Sequence, residues 1–127
     1  MKTSILAVGT ELTTGQIVNR NAAWISNQLK NIGLLTAVHI TVADDRKSIT
    51  EALQFCAEHS ELIFVTGGLG PTSDDFTREL ITEWTNLPLE FDEESWKKVK
   101  ERLSTRGFPV QNFQKKQCYF GECFYKG

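Results

Sequence analysis

Val65-Thr66-Gly67-Gly68-Leu69-Gly70-Pro71-Thr72-Ser73-Asp74-Asp75-Phe76-Thr77 is the stretch on which the fold turns. Leu62-Ile63-Phe64-Val65 leads into it, a short apolar run of the kind that makes a fully buried strand. Phe76, Leu80, Ile81 and Trp84 follow at helical spacing. The glycines between let the backbone turn sharply and approach a bound group closely. Pro71 fixes one torsion and donates no hydrogen bond. Thr72 or Ser73 is expected to cap the helix, with Asp74 and Asp75 in its first turn. Strand, glycine loop and helix start in succession make a phosphate-binding geometry, because backbone N–H groups and the positive helix end aim at one point. Two carboxylates there would repel a phosphate unless a cation lies between them. Acidic residues at a helix start also simply stabilise the helix by ~0.3–1 kcal/mol each, and Asp74 alone is read that way. Capping does not explain a turn that uses three glycines.

Upstream, Ile5-Leu6-Ala7-Val8 reads as the first buried strand, ended by Gly9-Thr10-Glu11-Leu12 and a loop with Thr13, Thr14 and Gly15. Ala22, Trp24, Ile25 and Leu29 predict a helix from Asn21 to a stop near Gly33. Leu34 to Val42 is rich in β-branched residues and reads as a strand, followed by a turn at Asp44-Asp45-Arg46. Ile49, Leu53, Cys56 and Ala57 predict a second helix from Lys47 to His59. Alternating strands and helices argue for an α/β fold with a parallel sheet covered on both faces. Ligands of such sheets sit beyond the carboxyl ends of the strands. Three segments carry acids to that edge: Glu11, then Asp44 and Asp45, then Asp74 and Asp75.

Downstream the pattern is weaker. Asn86-Leu87-Pro88-Leu89 is a break, and Asp92 to Arg106 reads as a charged helix with Trp96, Val99 and Leu103 as its apolar stripe and Gly107 as its stop. Trp96 is expected in the core. Lys97, Lys98, Lys100 and Arg102 are read as a solvated face, Lys115-Lys116 are not assigned to a phosphate, and His39 and His59 are read as surface or edge positions.

The 127 residues suit one domain, and 40% hydrophobic content is enough to build a core. A net charge of -2 leaves no basic footprint for nucleic acid. No apolar run approaches the ~20 residues of a membrane span, and no signal-peptide core is legible. A cytoplasmic location is therefore expected. Cys56, Cys118 and Cys123 lack metal-site spacing; Cys56 fits a core position, and the other two would be reduced in a cytosol.

Gly9-Thr10-Glu11-Leu12, Gly15-Gln16-Ile17-Val18-Asn19-Arg20-Asn21, Val42-Ala43-Asp44-Asp45 and Gly67 through Glu79 together resemble the N-terminal domain of the CinA competence/damage-inducible proteins, within the wider MoaB/Mog molybdopterin-binding family. The resemblance covers residues 4 to 120 or so. It implies a three-layer α/β/α fold with a mostly parallel sheet that binds a pterin or nucleotide phosphate at the strand ends. It further implies hydrolysis of a nucleotide pyrophosphate such as ADP-ribose; that chemistry needs neutralised charge and an activated water, which a divalent cation held by carboxylates (magnesium, manganese or cobalt) would supply. Carried over by position, Glu11, Asp44 and Asp75 match the acidic catalytic and metal-holding residues, Gly67, Gly68, Gly70 and Thr72 the phosphate loop, and Asn21 a polar position near the pocket. The alternatives are a molybdopterin-binding module without chemistry, an inactive truncated fragment, or, outside the family, a receiver-like domain using Asp44 and Asp45.

One departure stands out. After Gln117-Cys118-Tyr119-Phe120, the residues Gly121-Glu122-Cys123-Phe124-Tyr125-Lys126-Gly127 do not resemble the family's continuation. The expectation is a family domain over 1–120, incomplete at its C-terminus, with a divergent tail over 121–127. An open sheet edge would invite pairing with another chain, so a homo-oligomer is among the expected states.

Overall fold

Seven residues, Lys2–Val8, form strand β1, and the apolar run Ile5–Val8 within it is explained by where the strand lies. In the computed structural model, which describes residues 1–120, β1 is the middle of a three-stranded sheet ordered β2-β1-β3. Strand β2 (Leu35–Val42) and strand β3 (Leu62–Thr66) both run parallel to it. Ile5 lies opposite His39 and Phe64, and Leu6 opposite Ile40 and Val65. Thr3 through Val8 are all buried, as a central strand covered on both faces requires. The tail over 121–127, with Cys123, lies outside the described residues.

The chain divides into two compact units, Met1–Gly68 and Leu69–Gly127. The first holds the parallel sheet, a short helix α1 (Thr10–Thr13), helix α2 (Arg20–Asn31) and helix α3 (Arg46–His59). Asn19 starts α2 by accepting the Ala22 N–H on Oδ1 at 3.2 Å. Gly33, at φ +83°, ends it: the Gly33 N–H donates to Lys30 O and the Leu34 N–H to Leu29 O, at 3.1 and 2.9 Å. Asp45 starts α3 by accepting the Ser48 N–H and hydroxyl at 2.9 and 2.8 Å.

The crossover from β1 to β2 moves one way along the sheet, and the crossover from β2 to β3 moves back past β1. Right-handed crossovers then place α2 and α3 on opposite faces, giving three layers. Ser4 on β1 meets α3 through a 2.7 Å contact with the Ser60 hydroxyl. On β2 an extra residue, Ala37, interrupts the register between Thr36 and Val38. This bulge brings both Thr36 and His39 to the Ser26 hydroxyl of α2, at 3.0 and 2.6 Å.

Two expectations are corrected in this unit. Trp24 is 65% exposed and lies outside the inward stripe of α2, formed by buried Ala22 and Leu29 with half-buried Ile25. At about 100° per residue, Trp24 points roughly opposite to Ala22. Strand β3 is half-buried along its length, because in this three-stranded sheet it is hydrogen-bonded to β1 on one side only.

The second unit contains helix α4 (Thr77–Thr85), strand β4 (Glu90–Phe91), helix α5 (Glu93–Thr105), a 3-10 helix (Asn112–Cys118) and strand β5 (Tyr119–Phe120). β4 and β5 pair antiparallel, and the Phe91 and Tyr119 rings meet at 5.2 Å. Asp92 caps α5 through the Ser95 N–H at 3.0 Å, and Trp96 packs inward at 7% exposure, as the helical stripe predicts. Helix α4 begins later than expected. Thr72 and Ser73 do not cap it, and Asp74 and Asp75 precede it; its N-cap is Phe76, which makes no side-chain cap bond. The Asp75 N–H instead closes a tight turn onto Thr72 O at 3.1 Å, so helical geometry starts only beyond it.

Candidate functional site

In the first unit the parallel register brings the carboxyl ends of all three strands to one edge. β1 ends at Val8 and is followed by Glu11; β2 ends at Val42 and is followed by Asp44; β3 ends at Thr66 and is followed by Gly67 and Gly68. The backbone at this edge is tightly joined. The Gly9 N–H donates to Val42 O at 2.9 Å. Gly67 has φ +87°, and a Cβ built on it would stand 1.9 Å from Val8 O, closer than any real side chain allows. Glycine is therefore required for the end of β3 to meet the end of β1 backbone to backbone.

The acids at this edge have different surroundings. Asp44 Oδ2 accepts the Thr10 N–H at 3.1 Å and the Thr10 hydroxyl at 3.3 Å, while the Asp44 N–H donates back to Thr10 Oγ1 at 3.2 Å. This reciprocal pair ties the start of α1 to the chain leaving β2. Glu11, half-buried in the first turn of α1, holds its carboxylate beside Gly9, within 2.6 Å of where a Cβ on that glycine would stand. Asp45 is committed to capping α3, and the Ser48 N–H and hydroxyl hold its carboxyl below the usual range. Asn21 is exposed on the first turn of α2.

Gly70, Thr72 and Asp75 belong to the second unit, and there Asp75 folds back into the loop. Its carboxylate accepts the Thr72 N–H at 3.1 Å and the Thr72 hydroxyl at 2.5 Å, and also bonds the Gly70 backbone. A Cβ on Gly70 would lie 2.6 Å from Asp75 Oδ2. Partial burial alone would raise the Asp75 pKa. The Thr72 hydroxyl and N–H, the Gly70 backbone and Lys116 outweigh it and hold the carboxyl below its ordinary value. Amides expected to face a phosphate thus bond, in this structure, to the protein's own carboxylate.

Lys116 was not assigned a role from sequence, and the structure gives it one. Its ammonium donates to Thr72 O at 2.7 Å and to Asp75 O, and pairs with Glu79 at 3.7 Å. It ties the Thr72–Asp75 turn to the 3-10 helix. No local signal marks this residue, because the two carbonyls it binds are more than forty positions away in sequence. Thr10 likewise carries no local signal, because a hydroxyl next to a strand end is too common to single out.

Among the described residues, no group of three or more His, Cys, Asp and Glu side chains is arranged to hold a metal ion. His39 bonds Ser26, and His59 stacks on Phe55 at 4.1 Å with Nδ1 at 2.8 Å from Phe55 O; both are edge positions, as the sequence suggests. No helix among the described residues is long and apolar enough to cross a membrane.

A parallel α/β sheet whose carboxyl edge carries a glycine turn and acids from successive strands is the layout of a molybdopterin-binding domain. The chain belongs to that family: residues 4–121 match the family described as "Probable molybdopterin binding domain". Within it, the chain is similar to CinA-like proteins. A CinA-like protein of Dictyoglomus turgidum is 40% identical over 122 residues, which is 96% of this chain and 30% of that one. The chain thus spans about 30% of the length of that curated relative, and corresponds to its N-terminal part. A crystal structure of the protein CinA, of unknown function, from Thermoplasma acidophilum superposes with a TM-score of 0.82 at 30% identity, covering 96% of this chain and 71% of that one. The molybdopterin biosynthesis enzyme MoaB of Thermus thermophilus superposes with a TM-score of 0.59 at 27% identity, covering 65% and 53%.

Proposed function

We propose that the domain binds the phosphates of a small nucleotide or pterin at the carboxyl edge of the sheet, and that it hydrolyses a nucleotide pyrophosphate such as ADP-ribose with a divalent cation. The observation that carries this reading is the enforced glycine at Gly67. Backbone is brought against backbone at the edge that also bears Glu11 and Asp44, where a side chain would otherwise stand. Gly67 and Gly68 would offer main chain to the phosphates, with Asn21 as a further polar contact of the same reading.

The donor set fits a hard cation. Every candidate ligand is a carboxylate oxygen, and magnesium takes one or two protein carboxylates with substrate phosphates and waters completing its shell. Such an ion does not need three protein acids in a cluster. Glu11 and Asp44 would hold magnesium, manganese or cobalt, which would supply neutralising charge and an acidified water. Asp44 contributes a carboxylate already oriented by Thr10. Asp75, the third acid of the reading, is held ionised and fixes the shape of the loop that follows Gly68. Incubating the chain with ADP-ribose and each of the three metals is expected to release AMP. A folded sample that releases none with any metal overturns the hydrolytic reading.

A second reading is favoured by Asp75 itself. With loop amides bonded to an internal carboxylate, the domain would bind a molybdopterin-like ligand without reaction. Calorimetry showing pterin binding, beside an absence of AMP release, selects it. In either reading the ligand is a small molecule and the setting is cytoplasmic. Nucleic acid has no part, and a homo-oligomer would use the one-sided hydrogen bonding of β3.

A further inference from the structure

The second unit contains a cavity of about 470 Å³ that the hydrolytic reading does not use. That volume lies in the range of small-molecule sites, about 300–1,000 Å³. Its walls are chemically divided. Arg78, Lys115 and Lys116 supply three cations against one carboxylate, Glu79, in a chain whose net charge is -2. Phe113, Tyr119 and Leu89 supply an apolar and aromatic side. Lys116 is engaged with Thr72, Asp75 and Glu79 and braces the wall.

Lys115 is placed differently. Its ammonium lies 5.6 Å over the Trp96 ring, and that ring also carries the Lys100 ammonium at 5.7 Å. Two like charges share one ring, an arrangement that an anion beside Lys115 would relieve. The Phe113 ring is 53% exposed beside this cation, the pairing of stacking face and positive charge that nucleotides use. Glu79 lines the same cavity with its side chain 38% exposed and Oε1 3.7 Å from Lys116 Nζ, so one wall carries a carboxylate acceptor for a ligand N–H or O–H.

We propose that this cavity is a mononucleotide pocket: phosphate toward Arg78 and Lys115, base against Phe113, and a sugar hydroxyl or base amine toward Glu79. The inference does not rest on the hydrolytic reading, because none of its residues is assigned to that chemistry.

The test is calorimetry on the whole chain with AMP, ribose 5-phosphate and adenosine as probes. AMP is expected to bind more tightly than either fragment. Phe113→Ala is expected to weaken AMP about tenfold while leaving ribose 5-phosphate within about twofold, since stacking is lost and the phosphate contact kept. Lys115→Ala is expected to weaken AMP and ribose 5-phosphate together and to leave adenosine unchanged. Phe113 is exposed and Lys115 partly so; an unchanged thermal midpoint in both variants checks that the fold persists. Asp44→Asn separates the two regions: AMP affinity that survives it but falls with Phe113→Ala supports the pocket. No AMP binding at millimolar concentration, or binding indifferent to Phe113→Ala, overturns it.

Discussion

The carboxyl edge of the first unit and the glycine loop of the second are held by different kinds of atoms. At the edge, backbone meets backbone: Gly9 N–H on Val42 O, and Gly67 packed against Val8 O with no room for a side chain. In the loop, side chains do the holding: Asp75 bonded to Gly70 and Thr72, and Lys116 on two carbonyls. An edge built from backbone is intolerant of added atoms and indifferent to charge. A loop built from a carboxylate and an ammonium responds to charge and pH while its chain path can survive substitution. The contrast separates a scaffold from an adjustable part.

The largest expected effect falls on the scaffold. Gly67→Ala places a Cβ 1.9 Å from Val8 O at a positive φ, so β3 must part from β1 or the turn must rebuild. A loss of at least about 3 kcal/mol is expected, read as a fall in denaturant midpoint. A loss below about 1 kcal/mol would show that the edge is adjustable after all, and the contrast would fail.

Next comes Asp75→Asn. The amide keeps the shape but removes the charge that Thr72, Gly70 and Lys116 attend. Hydrogen bonds to a charged group contribute roughly 1.5–3 kcal/mol, and discounting for partial exposure leaves about 1–2 kcal/mol. The effect should depend on pH. The folded Asp75 carboxyl is depressed below the ~3.9 of an unfolded aspartate, so its stabilisation is fully present above that value and fades as pH falls through the lower folded value. Wild type should therefore lose stability more steeply than Asp75→Asn over roughly pH 5 to 2, and the two should converge at the acid end. Parallel curves would mean that Asp75 is not held by charge.

These two cases also mark what the sequence made legible. Strand-helix alternation, the buried run at Ile5–Val8 and the inward Trp96 all express period and propensity, which are local properties. The edge bearing Glu11, Asp44, Gly67 and Gly68 followed from parallel topology alone. What escaped depended on single side chains choosing partners. Asp75 closed a turn where a helix start was expected, because a carboxylate three residues after Thr72 can serve a tight turn as readily as a first helical turn. Trp24 escaped because helical spacing alone does not separate faces: two residues from Ala22 is about 200° around the axis, on the solvent side. Lys116 escaped because carbonyls more than forty residues away leave no trace in spacing.

The smallest effect sharpens the contrast most finely. Lys116→Met keeps the length of the side chain and removes the ammonium from Thr72 O, Asp75 O and Glu79. Lys116 is partly exposed, so a loss of only about 0.5–1 kcal/mol is expected. The informative result is the double variant. Lys116 is among the groups that lower the Asp75 carboxyl, so Lys116→Met in an Asp75→Asn background should cost less than in wild type. If instead the two losses add without remainder, Lys116 serves the carbonyls alone, and the loop is built from two independent ties rather than one charged pair.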